Sequence, residues 1–220
     1  MCLQALVALI RAGDPVRAIS SGYSLPRPSA WHQEHCPVQG GPCPADPNPH
    51  GGGYWGLDTP AQFLQMLAWQ NTAVDLWSVH HYAQAASATS ECYFSRTACV
   101  RDASLVTMAA THAASLSRAV FVGEYGGPAP DFTGPSTADQ AFPASILTAQ
   151  VNATTAGGTR YALPLTALWA WACPSHRSDM ACVWPNSTRP QEIGSNRMVA
   201  LLAAANAAME AEMMADVLTL

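Results

Sequence analysis

A glutamate that ends an apolar, β-branched run and is ringed by glycines is the first place in this sequence where chemistry can be sought. The run is Ala119-Val-Phe-Val-Gly-Glu124, with Gly123, Gly126 and Gly127 around the acid. Two-residue alternation puts Val120, Val122 and Glu124 on one face and the carboxylate at the C-terminal end of a strand, where parallel α/β proteins assemble their sites. A lone glutamate there is as readily a solvated turn residue, so other segments must decide. In Val74-Asp-Leu-Trp-Ser-Val-His-His-Tyr82 the same period sets Ser78, His80 and Tyr82 on one face. Hydroxyl and imidazole groups on a buried face suit a sugar pocket or the orientation of a carboxylate. The plainer alternative is a satisfied core histidine, with His81 turned toward a helical layer. Leu165-Thr-Ala-Leu-Trp-Ala-Trp171 sets Trp169 and Trp171 on one face. They are either core tryptophans or stacking platforms for a pyranose ring, since indole offers a flat apolar face and a polar N–H.

His32, His35 and Cys36 invite a metal reading, but a site needs further ligands at a recognised spacing and Cys36 has a better partner. No metal and no cofactor are expected. Of the seven cysteines, six fall into three close pairs, Cys36/Cys43, Cys92/Cys99 and Cys173/Cys182, each bracketing a polar loop. Those spacings are wider than zinc sites use, so three loop-stapling disulfides are predicted, with Cys2 left over. Disulfides imply an oxidising compartment. The sequons Asn152-Ala-Thr154 and Asn186-Ser-Thr188 agree with an extracellular or secretory-pathway chain. The opening ten residues lack a basic n-region and a cleavage site, which favours a short amphipathic helix over a signal peptide. An extracellular chain without its own signal implies a missing upstream segment.

The elements that must position these residues alternate regularly. Four strands are predicted, over Val16–Ser21, Val74–Tyr82, Ala119–Glu124 and Leu165–Trp171, each followed by a loop and a helix. Asp58-Thr59-Pro60 supplies a cap and an N1 proline for a helix to Gln70. Asp102 or Ser104 opens a helix to about Arg118, and Ser136 or Thr137 opens one to about Thr155 with Pro143 as a kink or restart. Gly194-Ser195 precedes a long Ala/Met-rich helix. Repeated βα units imply α/β architecture with a parallel sheet, read here as one unit spanning residues 1–220. The long loops Gly22–Asp58 and Ala83–Arg101 follow strands, and each holds a cysteine pair.

Composition narrows the partners. With 49% hydrophobic residues the chain can bury a core. All ten basic residues are scattered arginines and the formal charge is −5, which argues against a nucleic-acid partner. No run of about 18 apolar residues exists, so no transmembrane helix and no membrane partner are expected.

Taken in order, Asp75-x-x-Ser-x-His80-x-Tyr82, Val122-Gly-Glu124-Tyr-Gly126 and Leu168-Trp169-x-Trp171 resemble strands six, seven and eight of glycoside hydrolase family 5 and its relatives, the cellulases and β-mannanases. Asp14-Pro-x-Arg17-x-Ile-Ser-Ser-Gly22 is similar to the strand-five region of that group. The resemblance covers nearly the whole chain. It implies a TIM (β/α)8 barrel, present here as a partial or half barrel of about four βα units. It implies a retaining hydrolase of β-linked glucan or mannan, with Glu124 as nucleophile. His80 and Tyr82 would line the cleaved-sugar subsite, Tyr82 hydrogen-bonding near the nucleophile, and Trp169 would be the stacking platform.

The family's acid/base, a glutamate after asparagine at the end of strand four, has no counterpart. No Asn-Glu pair occurs, and Glu34 and Glu91 lie in loops without that context. Retention needs two carboxyl groups about 5–5.5 Å apart. Two readings follow. One is the C-terminal, nucleophile-bearing half of a hydrolase, and the other is a non-catalytic carbohydrate-binding relative or an inactive truncated product. A half barrel would also expose its open sheet edges to self-association.

Overall fold

The computed structural model describes residues 2–36, 43, 53–82, 92–126, 144–152, 163–168 and 193–217. Helix α1 (Cys2–Gly13) comes first, followed by the short α2 (Ala30–His35), a 3-10 turn (Gly53–Trp55) and α3 (Pro60–Gln70). Strand β1 (Leu76–Tyr82), α4 (Ser104–Ser115) and β2 (Ala119–Gly126) follow. A helix over 144–152 (α5), β3 (Leu165–Leu168) and α6 (Ile193–Val217) complete the described chain. The three strands form an open, all-parallel sheet in the order β1-β2-β3. This is mixed α/β architecture with helices supplied by the crossovers.

Local sequence explains the elements. Thr59 accepts from the Gln62 N–H while the Gln62 side chain accepts from the Thr59 N–H, a reciprocal cap with Pro60 at the first helical position. Such a cap stabilises a helix by about 1 kcal/mol. The buried face of α3 is Phe63, Met66 and Leu67, and that of α4 is Leu105, Val106, Ala109, Ala110 and Ala113. Helix α4 stops short of Arg118. Ser117 adopts φ 56°, its N–H donates to the Ala114 carbonyl, and Arg118 N–H donates to that of Ala113. That pair of reversed bonds closes the helix C-terminus with serine in the left-handed position.

The core lies between the sheet and its helices. Val79, Val120, Val122, Phe63, Leu67, Leu105 and Val106 have no exposed surface. Burying each such side chain contributes roughly 1.5–3 kcal/mol. Trp77 and His81 share this helix face of the sheet, Trp77 against the His112 ring and His81 with Nε2 3.0 Å from the Asp102 carbonyl. Thr166 of β3 donates to Gln150 of α5 at 2.7 Å on the same side.

The predicted first strand is not formed. Residues 16–21 contribute one parallel bridge, Ser20 to Leu76, on the edge of β1 away from β2. Asp75 and Leu76 N–H groups reach the Ile19 carbonyl, but side chains take the neighbouring positions. The Asp75 carboxylate accepts from Ile19 N–H, and Asn71 Oδ1 accepts from Ser78 N–H at 3.0 Å. Asp14 accepts from the N–H groups of Val16 and Arg17, turning the backbone there, and Val16 is 88% exposed. A ladder cannot extend where side chains already hold its donors. Asp75 also pairs with Arg11 of α1, so it ties three segments together. The Ile19 N–H, then Arg11, hold its carboxyl below the ordinary aspartate value.

Candidate active site

Glu124 does not share a face with Val120 and Val122. Val79 pairs with Val122, but the next residue of β1, His80, pairs with Glu124, so β2 carries one surplus residue at Gly123. A Cβ at Gly123 would lie 2.7 Å from His80 Nε2 and 3.4 Å from Ser78 Oγ, so Gly123 faces the side that Ser78 and His80 occupy. The bulge then keeps Glu124 on that same side. The valines point to the helices and the acid points away from them. Alternation across an unbroken strand, the sequence expectation, fails here because glycine lets the backbone skip a step. An isolated glycine inside a strand pattern was the available signal.

On that polar face β1 and β2 bring three predicted residues together. The Tyr82 hydroxyl donates to Glu124 Oε2, and His80 Nδ1 stands 3.7 Å from the same oxygen. The side chains of His80 and Glu124 are 20% and 32% exposed, open enough to meet a ligand. Burial, reinforced by the adjoining carboxylate, pushes the Tyr82 phenol well above its ordinary value. Tyr82 therefore stays protonated and remains a donor at neutral pH. An oriented carboxylate with a hydroxyl donor on one oxygen can serve as nucleophile, as base, or as anchor for a sugar hydroxyl.

His80 and Tyr82 also form part of the wall of a cleft of about 500 Å3 at the C-terminal end of β1. Trp55, 55% exposed, and Arg27, Tyr93 and Arg101 line it too. Glu124 stands beside this cleft, joined to its wall through Tyr82 and His80. None of those four additional residues was singled out in the sequence. Trp55 ends the 3-10 turn, within the glycine-rich stretch of sequence Gly51-Gly-Gly-Tyr-Trp-Gly56, and its exposed indole has no core role.

The loop carrying Arg27 is held on both sides. Leu25 N–H donates to the His80 carbonyl at 3.4 Å, Tyr93 hydroxyl to the Pro26 carbonyl at 2.9 Å, and Asp58 N–H to the Pro28 carbonyl at 2.7 Å. Below it, buried His32 and Asp58 pair at 2.7 Å, and Asp58 accepts from the Trp31 and His32 N–H groups. Burial raises the Asp58 carboxyl, and those hydrogen bonds oppose the shift. Cys36–Cys43 and Cys92–Cys99 are bonded as predicted, and Arg101 sets Nε and a terminal nitrogen against Cys99 and Cys92 Sγ at 2.7 and 3.1 Å.

The remaining expectations divide. Trp169, Trp171, Cys173, Cys182 and Glu91 lie outside the described residues. His32, His35 and Cys36 do not form a metal cluster: His32 is paired with Asp58, Cys36 is in its disulfide, and the His35 ring stacks on Trp31 at 4.4 Å. Among the described residues no group of three or more His, Cys, Asp or Glu could hold a metal, and no helix is long and apolar enough to cross a membrane.

The fold and site together define a mixed α/β protein whose parallel strands present a glutamate, a tyrosine and a histidine at their C-terminal end. No family model matches the chain, and no curated protein or solved structure does either.

Proposed function

We propose that the chain carries the nucleophile side of a retaining glycoside hydrolase of the (β/α)8-barrel type, acting on β-linked glucan or mannan. The observation that carries this reading is the hydrogen bond from Tyr82 to Glu124, with His80 alongside, at the C-terminal ends of adjacent parallel strands. Glu124 attacks the anomeric carbon, the glycosidic bond breaks, and the leaving oxygen takes the electron pair and then a proton from an acid. Tyr82 and His80 orient the attacking oxygen. The three parallel strands and the bridge at Ser20 follow one another in the order consecutive barrel strands would take. Two disulfides support an oxidising, extracellular setting. The exposed Leu6, Leu9 and Ile10 of α1 support self-association or docking against further barrel units.

A non-catalytic carbohydrate-binding role has its own support. Among the described residues no carboxylate lines the cleft or pairs with Glu124, while Trp55 offers an exposed stacking surface.

A 2-deoxy-2-fluoro β-glucoside or β-mannoside with a dinitrophenolate leaving group separates the two. That group departs without protonation, so the chain can be tested with no acid in place. The expected result is stoichiometric dinitrophenolate release and a 2-fluoroglycosyl ester on the peptide containing Glu124, absent in Glu124→Gln. Binding of sugar with no ester formed would favour the carbohydrate-binding role, and an ester on another carboxylate would remove Glu124 from the mechanism.

A further inference from the structure

We infer that the cleft takes a glycan bearing a carboxylate, a uronosyl unit whose ring lies against Trp55 and whose acid meets Arg27. This rests on the carbohydrate reading above and names the substrate class more narrowly. The chain as a whole is acidic, with 15 Asp and Glu against 10 Lys and Arg. The cleft runs the other way. Two guanidinium groups, Arg27 and Arg101, line it, and no carboxylate does among the described residues. A guanidinium on a concave wall raises the local concentration of opposite charge there.

Arg27 is placed for this role. Its side chain is exposed at the cleft and makes no ion pair with a described carboxylate, unlike Arg11 with Asp75 and Arg17 with Asp14. Its backbone is fixed between Pro26 and Pro28, whose carbonyls accept from Tyr93 and Asp58, and its own carbonyl accepts from Ala30 N–H at 2.9 Å. A fixed backbone sets where the side chain leaves the loop and so keeps the guanidinium within reach of the cleft. The planar fork matches a carboxylate in two parallel bonds. Arg101, also on the cleft wall, sets its guanidinium against the Cys99 and Cys92 sulfurs. Trp55 supplies the flat apolar surface that sugar rings stack on.

Calorimetric titration of the full chain with three matched β-linked oligosaccharides tests this: one neutral, one carrying a glucuronosyl unit, one carrying a sulfate ester. The uronosyl ligand should bind roughly three- to tenfold more tightly than the neutral one at low salt, with the advantage shrinking at 0.3 M salt. Arg27→Ala should erase that advantage, costing the uronosyl ligand several-fold more than the neutral one, Arg27→Lys should restore part of it, and Trp55→Ala should weaken all three ligands. Equal affinity for neutral and uronosyl ligands, with Trp55 still required, would overturn the acidic-sugar inference and leave the glycan reading intact. Tightest binding of the sulfate ester would overturn the carboxylate assignment. Failure of every sugar to bind would remove the glycan reading and this inference together.

Discussion

The Tyr82 phenol donates to Oε2 of Glu124, crossing from β1 to β2 at the end of the sheet. A neutral donor on a carboxylate oxygen fixes the direction of that oxygen's lone pairs, so Tyr82→Phe should leave the nucleophile less well oriented. Ester formation from the 2-fluoro glycoside should slow by roughly 10- to 100-fold, the scale of one hydrogen bond to a charged group. An unchanged rate of ester formation would show that the bond does not orient the nucleophile.

Gly123→Ala tests the bulge. The new methyl group would sit 2.7 Å from His80 Nε2, closer than packed atoms tolerate. Displacing the imidazole or the strand should cost about 1–3 kcal/mol, read from urea unfolding. The His80 ring resonances should shift with it. Wild-type stability and unchanged spectra would mean that β2 has no bulge there.

Asn71 is fully buried beyond the end of α3 and is a hub. It donates to the Leu67 carbonyl and accepts from Ser21 Oγ and Ser78 N–H. Asn71→Ala leaves that buried Ser78 N–H without its partner and should destabilise by roughly 2–3 kcal/mol in urea unfolding. Asn71→Asp keeps both acceptor bonds and loses only the donor, so it should cost less unless burial of the charge dominates, in which case its deficit will grow with pH.

Burial holds the His81 imidazole below its ordinary value. The unfolded chain then takes up the proton first as the pH falls through about 6.5, so stability is fully present above that range and declines below it. Asp75 and Asp102, whose carboxyls are held low, lose their contribution only in the more acidic carboxylate range. Asp58, raised by burial, acts in the opposite sense as the pH falls toward the carboxylate range. The His81 share of the urea midpoints between pH 7.5 and 5.0 is therefore the part of the slope that His81→Gln should remove.

Peptide mapping under non-reducing conditions should recover Cys36–Cys43 and Cys92–Cys99, and also Cys173–Cys182. Pairing across these groups would overturn the reading of each as a local loop staple.

Much of this was legible in the residues. Period-two patterning located β1 and β2 because their apolar positions meet a helical layer, and Thr59-Pro60 with Gln62 announced α3 through its own cap. The family resemblance sets Tyr82 and His80 beside the carboxylate, and they stand there on β1. The first strand was misread because period and composition do not reveal that Asp75 and Asn71 side chains occupy the hydrogen-bonding positions it would need. The cleft residues Arg27, Trp55 and Arg101 were missed for a related reason. They come from three loops far apart in sequence, brought together by prolines, a buried His–Asp pair and a disulfide, none of which has a periodic signature.

The skip at Gly123 gives β2 two phases. Before it, the parity of Val120 and Val122 answers to α4 and the core; after it, the parity of Glu124 answers to Tyr82 and His80 on β1. Mutations can drift on one side without constraining the other, so the valines and the acid need not covary. Chain length is less forgiving. Losing residue 123 would make the two strands equal in count and keep every other pair in register, whereas losing 121 would draw Val122 onto the polar face. A lineage carrying this strand is thus freer to exchange its side chains than to change its length, save at one position.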